Sequence, residues 1–122
     1  MGVGFGFAIA AQSLYPNKKI IMVVGDSAFG FSGMELETAA RYKLPLKIVI
    51  INNNGIVFGT DEIDPEGSPS TIPVFHLSPD AKYHMMAEAL GGVGRLVHTH
   101  EQLRESMTVS YTHLTLPTIL RV

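Results

Sequence analysis

Two short apolar runs constrain this chain more than any other feature. Residues 20–24 read IIMVV and residues 46–51 read LKIVII. Each stops abruptly on a small polar cluster, Gly25-Asp26-Ser27 after the first and Asn52-Asn53-Asn54-Gly55 after the second. Runs of this length suit strands buried on both faces of a parallel sheet. Between them, Ser32 and Glu35 have the Ser-x-x-Glu spacing of a capping box, predicting a helix to about Tyr42 with Pro45 beyond its end. A strand, a helix and a second strand in this order imply a right-handed crossover and parallel pairing.

The same alternation extends along the chain. Val3, Phe7, Ala10, Ala11 and Leu14 recur at helical spacing over 4–14, and Pro16 stops that helix. Residues 59–77 hold Asp, Pro, Gly and Ser without periodicity, the composition of a functional or mobile loop. Ser78-Pro79 reads as an N-cap and first-turn proline. Tyr83, Met86, Ala87 and Leu90 mark one buried helix face, closed by Gly91-Gly92. Residues 95–98 form a third expected strand, and Thr99 with Gln102 caps a last helix. The expected fold class is α/β, one domain at most, with a parallel sheet flanked by helices.

Composition removes several functions. A formal net charge of -2 gives no electrostatic case for nucleic acid or an anionic membrane. Without cysteine there are no disulfides, thiolate metal sites or cysteine nucleophile. No apolar run approaches the roughly 20 residues that span a bilayer, so no membrane partner is expected.

Ligands of open parallel sheets bind at the carboxyl ends of the strands, where both polar clusters fall. Asp26 and Asn53 are 27 positions apart, one strand-helix-strand unit, so neighbouring strands bring them together. A carboxylate, an amide oxygen and backbone carbonyls are hard donors suited to magnesium, which completes its octahedron with phosphate and water. Gly25 and Gly55 admit close approach of the backbone to a ligand. The N–H groups of Ser27 and Ala28 open the next segment and suit phosphate oxygens.

These residues carry a resemblance. Gly-Asp-Ser, about 25 residues, then Asn-Asn is similar to the cofactor motif of thiamine-diphosphate enzymes. GDSAFGFSGMELET with RYKLP and NNNGI resembles the branch holding the 2-hydroxyacyl-CoA lyases and oxalyl-CoA decarboxylases, from Met1 to about Met107. The resemblance implies thiamine diphosphate and Mg2+ as cofactors. Asp26 and Asn53 would ligate the metal through side chains and Gly55 through its carbonyl. Ser27 and Ala28 would contact the diphosphate, with Gly25 and Ile56 also at the cofactor. Met1 matches the large apolar residue that wedges beneath the cofactor. The activating glutamate of the family lies in an N-terminal domain, so no catalytic residue is expected in this chain. The family further implies an acyl-CoA substrate and a homo-oligomer, dimer or tetramer. It implies a peroxisomal setting for a eukaryotic lyase and a cytoplasmic one for a bacterial enzyme.

Two departures stand out. Val57 occupies a position where an aromatic residue commonly follows Gly-Ile, and the family is several times longer than these 122 residues. Asn54 stands where the decarboxylase tends to have glycine, a slight tilt towards the lyase. A contrasting reading is an inert fragment with no activity of its own.

Other patterns have plainer explanations. Gly2, Gly4 and Gly6 mimic a dinucleotide fingerprint, but Phe7 takes its last glycine position and no strand comes before it. His98 and His100 lack further ligands, a capping box accounts for Glu35, and Met85 and Met86 suit helix packing. Residues 108–118, TVSYTHLTLPT, back-translate to a sequence resembling the transposase adapter of DNA sequencing libraries. The expectation is a partial cofactor-binding domain over 1–107, then a non-native tail over 108–122 without consistent packing.

Overall fold

The computed structural model describes residues 1–56, 72–113 and 118–121; most of the loop expected over 59–77 lies outside them. The chain order is α1 (Gly4–Leu14), β1 (Ile21–Gly25), α2 (Asp26–Gly30), α3 (Glu35–Arg41), β2 (Lys47–Ile51), α4 (Tyr83–Ala89), β3 (Val93–Leu96), α5 (His100–His113) and β4 (Thr118–Arg121). The strands form one sheet in the order β1-β2-β4-β3, parallel throughout. This is the α/β layering expected from the alternation, and β1 and β2 are neighbours with Gly25 opposite Ile51.

One face of the sheet builds the main core. Met22, Ile48 and Ile50 pack there with Phe5 and Ala8 of α1, Phe29 of α2, Leu36 and Ala39 of α3, and Ala87 of α4. Phe29 links the helices: its ring centroid lies 5.7 Å from Phe5 and 5.6 Å from Tyr83, the latter edge-on. Lys47 and Val49, one residue out of step, turn to the opposite face. There Lys47 shares a cavity with Ser110, which places α5 on that side.

Several local expectations are corrected. The first strand is not buried on both faces: β1 is an edge strand of the sheet, and Val23 is 64% exposed on the face opposite Met22. On α1, the stripe of Val3, Phe7 and Leu14 is exposed while Phe5, Ala8 and Gln12 are buried. That helix is uncharged all round, so spacing alone could not choose its inner face. The Ser32 box does not form; α3 has Met34 at its N-cap and no side-chain cap. Ser32 already sits inside consecutive turns, its N–H donating to the Phe29 carbonyl and its own carbonyl accepting from Glu35 N–H.

The later elements shift as well. Ser78-Pro79 starts a turn, with Ala81 N–H donating to the Ser78 carbonyl, and α4 begins only at Tyr83. The expected face of α4 does pack inward, and Gly91 at φ +87° ends the helix. Gly92 N–H returns to the Ala87 carbonyl and Gly91 N–H to that of Glu88, the paired bonds of a Schellman motif. The third strand begins at Val93, two residues early, because Gly94 lets the α4 backbone reach the sheet: any Cβ there would overlap the His84 carbonyl. Thr99 caps α5 through its Oγ1, which accepts from Gln102 N–H at 3.1 Å. Helix α5 runs on to His113, and Thr118–Arg121 pairs with both β2 and β3.

Candidate functional site

The parallel pairing of β1 and β2 sets the ends of both strands side by side. Asp26 follows β1 directly, after Gly25 has taken an extended conformation (φ -76°, ψ 162°) that swings the chain into α2. Its carboxylate is 1% exposed. One oxygen, Oδ1, accepts from Ser27 N–H at 2.8 Å; the other, Oδ2, accepts from Gly55 N–H at 3.2 Å. A carboxylate at such depth is tolerable because both oxygens are bonded. It joins the two polar clusters across the strand ends.

The loop after β2 has its own order. Asn54 adopts φ +58°, the left-handed region that asparagine and glycine share. Asn52 Nδ2 donates to Asn54 Oδ1 at 2.8 Å. Gly55 pairs antiparallel with His76, flanked by bonds of 2.8 Å from Ile56 N–H to the Phe75 carbonyl and from Leu77 N–H to the Asn54 carbonyl. Gly55 is buried, whereas Asn53 is exposed at the loop surface.

Two hollows adjoin these residues. A cleft of about 370 Å³ is lined by Asp26, Ser27, Ile56, Phe31, Leu77 and Tyr83. A second hollow of about 210 Å³, beside α1, has Met1 and Ala28 in its wall. Ser27 lies between them, with its Oγ 3.8 Å from the Met1 sulfur. The structure thus links Asp26, Ser27, Gly55 and Met1 through direct contacts and puts Ile56 in the same cleft. Phe31, Leu77 and Tyr83 were not nominated from the sequence. Only Tyr83 carried a signal there, as part of a packing stripe.

The donor chemistry fits a hard cation. Among the described residues no three His, Cys, Asp or Glu side chains cluster. Among the described residues, Asp26 offers one carboxylate beside amide and carbonyl oxygens, a donor set of the kind magnesium takes when phosphate supplies the rest.

The sequence profile described as "Thiamine pyrophosphate enzyme, C-terminal TPP binding domain" matches residues 1–120. The chain belongs to this family. Thiamine diphosphate, with the Mg2+ these enzymes use, is therefore the cofactor of the domain. The chain is 41% identical over its whole length to 2-hydroxyacyl-CoA lyase 1 of Homo sapiens, covering 23% of that protein. It is 42% identical over its whole length to oxalyl-CoA decarboxylase of Escherichia coli (strain K12), covering 21%. The thiamine-diphosphate-dependent 4-hydroxybenzoylformate decarboxylase of Rhodococcus jostii RHA1 superposes on all of the chain with a TM-score of 0.81 at 25% identity, covering 23% of that structure. This TPP-binding domain thus spans less than a quarter of the length of these relatives.

Proposed function

We propose that this domain anchors and orients thiamine diphosphate, through Mg2+, in an enzyme that cleaves a 2-hydroxyacyl-CoA to an aldehyde and formyl-CoA. The observation that carries the reading is the buried Asp26 carboxylate spanning the two strand ends by its bonds to Ser27 and Gly55. Side-chain oxygens of Asp26 and Asn53 and the carbonyl of Gly55 would hold the cation. Ala28 N–H lies in the first turn of α2, where helix geometry supplies no partner, and suits a diphosphate oxygen. Ser27 N–H is engaged by Asp26, so its contact to phosphate requires an exchange of that bond. Met1, beside Ser27, supplies the apolar support, and Gly25 and Ile56 complete the set.

Bound thiamine diphosphate supplies an electron sink for carbon-carbon cleavage. The residues of this chain contribute position. Holding the diphosphate end on two strand ends fixes the reacting end elsewhere, and orientation of that kind lowers a barrier without any proton transfer by the anchor. The enzyme that contains this segment would use an acyl-CoA substrate as a dimer or tetramer, and the segment alone would be inactive.

The decarboxylase reading draws support of its own from the 42% identity to oxalyl-CoA decarboxylase. Asn54 does not separate the two. A φ of +58° is one that glycine adopts freely and asparagine adopts with a local side-chain bond, so the exchange between them follows the turn rather than the substrate. The deciding experiment offers the full-length enzyme both thioesters. Aldehyde together with formyl-CoA from the 2-hydroxyacyl-CoA supports the lyase; formyl-CoA and CO2 from oxalyl-CoA without aldehyde formation assigns the decarboxylase.

A further inference from the structure

The peptide plane between Asn54 and Gly55 is fixed at both of its polar atoms. Its carbonyl accepts from Leu77 N–H at 2.8 Å, and its N–H donates to Asp26 Oδ2 at 3.2 Å. In the next plane, Ile56 N–H donates to the Phe75 carbonyl at 2.8 Å. In a trans peptide the N–H and C=O point in opposite directions. The Gly55 carbonyl in that second plane therefore points away from Phe75. Both planes depend on the left-handed turn at Asn54, a conformation that costs a non-glycine residue about 1–2 kcal/mol unless its side chain finds a local bond. Asn52 provides that bond, with Nδ2 donating to Asn54 Oδ1 at 2.8 Å.

We propose that Asn52 is a positioning residue for the cation loop: through its bond to Asn54 it holds the left-handed turn that presents Gly55 to Asp26 and aims the Gly55 carbonyl. Asn52 itself need not touch the ion. The inference rests on reading residues 52–55 as the cation loop, and it deepens that reading by naming what shapes the loop before any ion arrives.

The test uses the full-length enzyme with Asn52→Ala, Asn54→Gly and the double variant. Glycine at 54 keeps the turn while removing the acceptor of this bond, so Asn52→Ala should cost less in that background than in the wild type. The first readout needs no metal: hydrogen exchange of the peptide covering residues 52–56. Asn52→Ala should exchange about fivefold faster there, as expected for one lost hydrogen bond, with the β1 and β2 peptides unchanged. The second readout is Mn2+ affinity with thiamine diphosphate present. Asn52→Ala should bind about tenfold more weakly, in the range for a lost supporting contact, raising the KM for the cation and leaving kcat at saturating cation unchanged. The double variant should lose less than the product of the two single variants. Wild-type exchange in Asn52→Ala, a double variant equal to the product of the singles, or loss of the cooperative melt in Asn52→Ala would each overturn the proposal. If the wild-type enzyme itself binds no Mn2+, the cofactor reading fails, and the exchange readout still decides the role of Asn52.

Discussion

Asp26 and Gly55 are joined by a hydrogen bond of 3.2 Å across 29 positions of sequence. The acceptor is a carboxylate almost without solvent contact, and the donor is the backbone of the loop beyond the adjacent strand. This one bond brings both halves of the cofactor motif into register, so substitutions around it should separate anchoring from folding.

Gly94 should be intolerant of any side chain. A Cβ would overlap the His84 carbonyl, a backbone atom of α4 that cannot turn aside. Gly94→Ala should lower stability by about 1–3 kcal/mol, the cost of overpacking. Gly6 is the contrast: it lies within α1 and a Cβ there meets nothing within 4 Å. Gly6→Ala should raise stability by about 0.5–1 kcal/mol. Paired thermal melts check both, and equal shifts would contradict the packing of α4 on β3.

Residues 108–122 pose a separate question. The segment 108–113 completes α5 and Thr118–Arg121 fills a central slot of the sheet. A slot of four residues asks for little beyond β propensity, which a chance sequence can supply. Ser110 fits less well, since its Oγ is buried without a hydrogen-bond partner. We propose that the tail is of adapter origin. An independent reading of the source DNA should depart from this sequence after Met107; an unbroken reading frame through Val122 would contradict that.

The 122-residue chain should show no turnover of either thioester. None of its residues is assigned a catalytic role, and it spans less than a quarter of the length of its enzyme relatives. Incubation with thiamine diphosphate, Mg2+ and each thioester checks this, with formyl-CoA as the readout. Formyl-CoA above the enzyme-free background would contradict it.

What was legible in the sequence is what short-range chemistry determines. IIMVV and LKIVII give way to polar clusters within one residue, so the strand ends and the residues at them could be placed without a structure. Asp26, Ser27 and Gly55 were nominated on that ground, and the structure joins them by direct bonds. The inner face of α1 was not legible, because Phe5 and Phe7 are equally apolar and the choice between them is made by tertiary neighbours such as Phe29 and Met22. The start of β3 depended on a tertiary contact, the approach of His84 to Gly94. The Ser32 box does not form because Ser32 lies within the consecutive turns that link α2 to α3. Leu77 gave no local cue, since it joins Asp26 in the wall of the cleft from a distant part of the chain.

Asp26 is the proposed charged anchor of the cation. The decisive measurement is retention of thiamine diphosphate by the full-length enzyme after gel filtration, with and without Mg2+, for wild type and Asp26→Ala. The wild-type enzyme should retain the cofactor only when Mg2+ is present. The variant should lose that dependence, binding at least about 10–100-fold more weakly, as loss of even a supporting metal contact does, while keeping a cooperative melt. Wild-type retention of the cofactor by Asp26→Ala would contradict the assignment of this site.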